Sequence, residues 1–257
     1  MDIDLEDCLL DALGKAERAE MDIANFDKAV NAFLKLKPFS MEAEKQPHAA
    51  HQQVNLVVRR NPIRAYEETD AALRTLSADA KSIMVGLWGV LDDIVQRIAL
   101  PGEGRAAFPA SFGKGPQEPA RFQREIARFP EDVGELIRSL DPHGGRDGEP
   151  FWILRSVAGG HMKQILEVAP VPSEHLVARL KARRGVRIGS MHWHPTNQCL
   201  VLLVAPHNLE LNDDFKAIPL NVVFRGIKVR AGKTATQTLA EARELVVEFI
   251  RSISSVL

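Results

Sequence analysis

Residues 76–98 read LSADAKSIMVGLWGVLDDIVQRI. The apolar side chains fall in two adjacent rows, Ile83, Leu87, Leu91, Ile94, Ile98 and Met84, Trp88, Leu91, Val95. That is helical spacing with a wide apolar face, so the stretch reads as a buried central helix. Gly86 and Gly89 fall within one turn of it. Each costs about 1 kcal/mol against alanine inside a helix, so the expectation is that another backbone packs closely there and offsets them. Asp92, Asp93, Gln96 and Arg97 form its polar side. A pocket opening there would be acidic and would favour a cation or a basic partner. Ser77 reads as the N-cap, with 65–76 a short helix or turn leading in.

Upstream, Leu5, Leu9, Ala12, Ala16, Ala19, Ile23, Phe26, Val30 and Phe33 alternate in steps of four and three. This predicts one long helix over 4–35 with a heptad seam. The seam pairs either with another helix of the same chain or with a second copy. Alternation at Phe39, Met41, Ala43 and at Val54, Leu56, Val58 predicts a β-hairpin over 39–58. Downstream, Pro101, Gly102 and Gly104 stop the central helix. Short helices are expected over 119–129, from Pro130 to Leu140, and over 151–168. The last of these is weakened by Gly159-Gly160. After Pro170 the character turns to strands, at Leu200–Val204, Leu209–Leu211, Ile218–Phe224 and Ile227–Val229. Thr238 and Glu241 read as a capping box for a final helix over 239–256. Its seam of Leu239, Ala242, Val246, Phe249, Ile253 and Val256 suits a partner in the first helix.

The fold expected is therefore α+β: a long N-terminal helix, a β-hairpin and a bundle-like helical core, then a smaller β-rich region and a C-terminal helix. The division expected is a mainly helical region over 1–170 and a β-rich region over 171–257, or one shared core.

With 257 residues, 26% charged and a formal net charge of −1, the chain carries no global pull toward nucleic acid or acidic membranes. Cys8 and Cys199 are too few for a disulfide framework, which fits a reducing cytosol. The start, MDIDLEDCLL, is acidic and lacks a signal-peptide layout, and no apolar run reaches the length of a membrane span.

The order of elements resembles a family of uncharacterised bacterial proteins. In that family a helix and hairpin lead to a helix of the type ALHNLRSALDHL, then a Phe-Pro motif and an LW-x-L helix carrying N-x-D-K-H-R. The matching stretches here are the hairpin at 39–58, Leu87 through Ile94, Phe108-Pro109, Asp141-Pro-His-Gly-Gly145 and Trp152-Ile-Leu154. The family's R-S-A-L-D-H is itself similar to the R-x-x-x-x-H of HEPN-type domains, many of them ribonucleases. The resemblance implies an arginine that binds phosphate and a histidine that moves a proton. Here those positions hold Trp88 and Asp93. Trp cannot neutralise a phosphate and Asp repels one, so nuclease chemistry is not expected on this helix.

If Met191–Trp193 is a strand, His192 and His194 in Ser190-Met-His-Trp-His194 share one face, a workable start for a divalent-metal site that needs a third or fourth ligand. Cys199, His207, Asp213 and Asp214 are the nearest further ligands. The plainer reading is two strand histidines beside a Trp. His143 and Arg146 lie in a Gly-rich loop whose backbone N–H groups suit an anion, and His161 follows Gly159-Gly160. His48 and His51 read as solvated loop residues. Lys181, Arg183, Arg184 and Arg187 form the densest basic run, with little aromatic interleaving to stack bases. Nucleic acid is therefore not the favoured partner. Acidic neighbours should raise the Cys8 thiol and keep it inert.

No Walker, dinucleotide or nucleophile-elbow motif occurs in the chain. The expectation is a cytoplasmic, non-catalytic binding or assembly module, self-associating through its N-terminal or C-terminal heptad helix. The alternative is an enzyme, either a metal-assisted hydrolase at His192 and His194 or a HEPN-like ribonuclease with a relocated or degenerate site.

Overall fold

The computed structural model describes residues 3–36, 39–45, 54–60, 65–100, 108–109, 120–140, 150–158, 166–172, 187–194, 199–205, 220–225, 227 and 233–257. The fold is α+β. Among the described residues the helices are α1 (Ile3–Lys35), α2 (Ala65–Ile98), α3 (Ala120–Ile126), α4 (Glu131–Ser139), α5 (Pro150–Ala158) and α6 (Ala235–Val256). The strands are β1 (Phe39–Lys45), β2 (Val54–Arg60), β3 (Glu167–Pro172), β4 (Arg187–His194), β5 (Cys199–Ala205) and β6 (Leu220–Arg225). They form two compact units, each assembled from separate pieces of chain. One comprises Met1–Lys28, Thr75–Val168 and Val223–Leu257, the other Ala29–Arg74 and Ala169–Val222.

The first unit is helical. The heptad seam of α1 is filled from within the chain: Leu9, Ala12, Ala16, Ala19, Ile23 and Phe26 are all buried. Alanines at three of these positions let neighbouring helices approach closely. One neighbour is α2. Lys15 meets Asp93, and Arg97 acts on Cys8, so the two helices run antiparallel. Another is α6. The Arg243 Nε donates to the Ala16 carbonyl at 3.1 Å, and the Thr236 hydroxyl donates to Asp27 at 3.0 Å. These contacts make α6 antiparallel to α1, and of its own seam Leu239, Ala242, Val246, Phe249 and Ile253 are buried, while Val256 in the last turn is exposed. On the apolar face of α2, Trp88 packs against Phe108 and Phe151, and Phe108 packs in turn against Phe249. Between α3 and α4 the approach at Gly134 is close. A Cβ on Gly134 would stand 3.1 Å from Ile126 Cγ2.

Three local expectations are corrected. The central helix does not begin at Ser77, because α2 is one helix of 34 residues from Ala65. The preceding AYEETDAALRTL contains no proline or glycine, and Leu73, Leu76 and Ala80 carry the buried stripe straight through. The Ser77 hydroxyl instead accepts the Val168 N–H at 3.0 Å. The capping box of α6 lies four residues earlier than expected. The Thr234 hydroxyl accepts from the Gln237 N–H, and the Gln237 side chain accepts from the Thr234 N–H at 2.9 Å. Thr238 is buried one turn further in, its hydroxyl donating to the Thr234 carbonyl. Lastly, 166–168 is not helical: β3 begins at Glu167, where Pro170 and Pro172 exclude a helix interior.

The second unit holds a four-stranded sheet in the order β1-β2-β5-β4. The hairpin pairs antiparallel, from Phe39 opposite Arg60 to Lys45 opposite Val54. β2 then pairs antiparallel with β5, and Val57 stands directly opposite Val201, both buried. β5 pairs with β4, whose register shifts between Ile188 and Ser190. The extra residue in that bulge is Gly189, which suits the local bend. β3 and β6 form a separate two-stranded sheet.

Candidate functional site

A cleft of about 680 Å³ runs between α1 and α2 in the helical unit. Its floor is apolar, with Phe26, Ile83, Leu87 and Val90. Its rim comes from two stripes that run beside the apolar seams. On α1 these are Lys15, Arg18, Asp22 and Asn25, in steps of three, four and three. On α2 they are Asp79, Ser82, Gly86, Gly89 and Asp93, in steps of three, four, three and four. Such spacing keeps each stripe on one helix face.

The two glycines are the unexpected part. They were expected to sit under a closely packed backbone, yet a Cβ on either would meet no atom within 4 Å. They therefore leave empty space above α2 instead of a contact, and their helix cost is not returned by packing inside the chain.

The electrostatics of the rim are mixed in sign. The Lys15 ammonium bridges Asp11 and Asp93, both at 2.9 Å. The hydrogen bond to Asp11, then that to Asp93, pushes Lys15 above the usual lysine range. The bond from Lys15 holds Asp11 below the usual carboxylate range. The Asp11 contribution is thus present above its ordinary pKa and is lost as pH falls through the lowered value. The Lys15 contribution is lost only as pH rises through a value above the lysine range, so the bridge is intact throughout the neutral range. Both groups are largely solvated, so the effect on stability is small.

Asp92 and Asp93 play separate parts, as adjacent helical positions must. Asp93 lines the cleft. Asp92 accepts the Phe108 N–H at 2.7 Å and fixes the point where the chain after α2 returns over Trp88. Phe108 is buried. Asp92→Ala is expected to destabilise the fold by about 2 kcal/mol in urea titration, since a charge-assisted acceptor of a buried N–H is lost. Asp92→Asn keeps an acceptor and should recover most of that. Equal losses in the two variants would show that the hydrogen bond is not what matters.

Trp88, at the arginine position of the resembling family, is 7% exposed and lies edge-on to Phe108 at 5.5 Å. That position is core. Burial, more than acidic neighbours, pushes the Cys8 thiol up, with Arg97 opposing. His192 and His194 do lie on a strand, at register positions opposite Val201 and Cys199. His143, Arg146, His161, His48, His51, His207, Asp213, Asp214, Lys181, Arg183 and Arg184 lie outside the described residues, and Arg187 opens β4. Among the residues whose side chains are described, no group of three or more His, Cys, Asp or Glu could hold a metal ion. No helix among the described residues is long and apolar enough to cross a membrane.

Sequence reasoning did not single out Lys15, Arg18, Asp22, Asp79 or Ser82. The available signal was the second heptad stripe on each helix, parallel to the apolar one. Arg155 was also missed: it is 2% exposed within α5, between Leu154 and Val157, where the residue type alone argues for the surface.

No protein-family model matches the chain, and no curated protein or solved structure matches it either.

Proposed function

We propose that the chain is a non-catalytic binding and assembly module of the cytoplasm whose working face is the groove between α1 and α2. The observation that carries this reading is the open space above Gly86 and Gly89. Two mid-helix glycines together cost about 2 kcal/mol, and a docked partner is what would offset it. The groove also has the anatomy of an interface, with an apolar floor, a polar rim and exposed apolar neighbours. Met21 is 68% exposed and Val85 49%. Met21 stands three residues after Arg18 and four before Asn25, and Val85 three after Ser82 and four before Gly89. That spacing sets each beside the rim. The occupant such a groove suits is an amphipathic helix. The rim offers no nucleophile paired with a base, which favours binding over catalysis. The cytoplasmic setting is supported by the low cysteine count.

The test is a photo-crosslinking residue placed at Ser82 in cells, with the same residue at exposed Ser139 on α4 as control. A crosslinked product is expected at Ser82 alone, and Gly86→Trp, which fills the groove, should abolish it. A product that survives Gly86→Trp, or that forms equally at Ser139, would remove the groove as the working face.

A further inference from the structure

The hairpin of β4 and β5 places three ligand-type residues at neighbouring register positions. His192 and His194 stand two residues apart on β4, and His194 pairs with Cys199 of β5. Residues opposite one another in an antiparallel ladder share a face, as do residues two apart on one strand. His192, His194 and Cys199 therefore share one face of the sheet. The alternate positions of the same strands, Met191, Trp193, Leu200 and Leu202, are apolar and belong to the other face. The sequence offers Cys199, His207, Asp213 and Asp214 as further ligands, and the register chooses among them. β5 ends at Ala205, opposite Arg187, about 20 Å of strand away from Cys199. Of the four, Cys199 is the one that the ladder sets beside the histidines.

The spacing suits a single ion. Opposite residues in such a ladder have Cβ atoms about 4.5–5.5 Å apart, and diagonal neighbours about 7–8 Å. Residues two apart on a strand are separated by about 7 Å. Two imidazoles and a thiolate based at such points can converge on one tetrahedral ion, with bonds of about 2.0–2.1 Å to nitrogen and 2.3 Å to sulfur. Val201 lies on the same face, opposite His192, and is buried together with Val57. A covered face is a costly place for two imidazoles and a thiol unless each finds a partner, and one bound ion serves all three.

We propose that His192, His194 and Cys199 form a binding site for a zinc-class divalent ion. Imidazole and thiolate select such an ion over magnesium or calcium, which take oxygen ligands. The Cys199 thiol releases its proton to solvent as the ion binds, and the thiolate is the ligand. Three protein ligands leave the fourth tetrahedral position to water or a small anion. The ion ties the end of β4 to the start of β5. The site belongs to the sheet unit and owes nothing to the groove of the helical unit.

Titration of the reduced, chelator-stripped full chain with Co2+ tests it, because cobalt reports its ligands in its spectrum. One equivalent should bind. It should show the visible bands of a tetrahedral ion and a thiolate-to-cobalt charge-transfer band in the near ultraviolet. Zn2+ should bleach both, and Mg2+ should not. Cys199→Ser should remove the charge-transfer band, and Cys8→Ser should keep it. His192→Ala and His194→Ala should each weaken binding at least about tenfold, since loss of even an outer partner of a ligand costs about 10–100-fold. His207→Ala should leave binding unchanged. Circular dichroism of each stripped variant should match that of the stripped native chain.

A native chain that takes up no Co2+, or binds it without the charge-transfer band, overturns the proposal, and that outcome needs no variant to fold. A band that survives Cys199→Ser overturns it too. So does binding that falls as far in a folded His207→Ala variant as in His192→Ala.

Discussion

Trp88→Ala is expected to cost about 3–5 kcal/mol of stability, the largest effect expected of a single substitution in this core. Trp88 is 7% exposed and contacts Phe108 and Phe151, with ring centroids at 5.5 Å and 6.0 Å. Truncation leaves a cavity that these rings cannot collapse into, because Phe108 is also held by Phe249 at 5.5 Å and by Asp92 through its backbone. The lost terms are the transfer of the indole out of water, the cavity, and two aromatic contacts worth about 0.5–1.5 kcal/mol each. The melting temperature should fall by roughly 10 °C, with loss of the near-ultraviolet dichroism of the cluster. A loss below about 1 kcal/mol would mean that the cluster is not the centre of this core.

The second expected result has the opposite sign. Gly86→Ala combined with Gly89→Ala should stabilise the isolated chain by about 2 kcal/mol and raise its melting temperature by several degrees. Neither Cβ meets an atom within 4 Å, so alanine gains helix propensity without a clash. Had the glycines made a close internal contact with backbone, the same changes would lower the melting temperature. The measurement therefore separates a groove from a packing contact. An unchanged or lower melting temperature would sink the groove reading at its root.

These two residues show where the sequence was and was not legible. The apolar periodicity of α1, α2 and α6 was readable because burial imposes a period that few other constraints imitate. Trp88 was readable as scaffold for the same reason. Gly86 and Gly89 were noticed, but their cost admits two explanations, a close neighbour or a space, and local sequence cannot choose between them. Lys15, Arg18, Asp22 and Asp79 passed unremarked because a charged stripe on a helix is what water alone would select. The misplaced caps have a related cause. Ser77 and Thr238 are residue types that suit a cap, yet both sit inside helices whose flanking residues continue the helix. The Ser77 hydroxyl is taken by the Val168 N–H and that of Thr238 by the Thr234 carbonyl. The hairpin was legible as a pair of strands, but its third neighbour was not. The pairing of β2 with β5 leaves no local mark, since it joins strands far apart in the chain.

That pairing also sets a timetable for synthesis. β2 ends at Arg60 and β5 begins at Cys199, so roughly 140 residues are translated between them. At about 5–20 residues per second the hairpin waits on the order of 7–30 s with its β2 edge unpaired as well as its β1 edge. For that interval it offers an open row of backbone donors and acceptors to any other strand nearby. The seam of α1 waits longer still, because Arg243 and the rest of α6 come near the end of the chain. During synthesis these early segments are the aggregation hazard, and a cell making this protein must shelter α1 and the hairpin until β5 and α6 have left the ribosome.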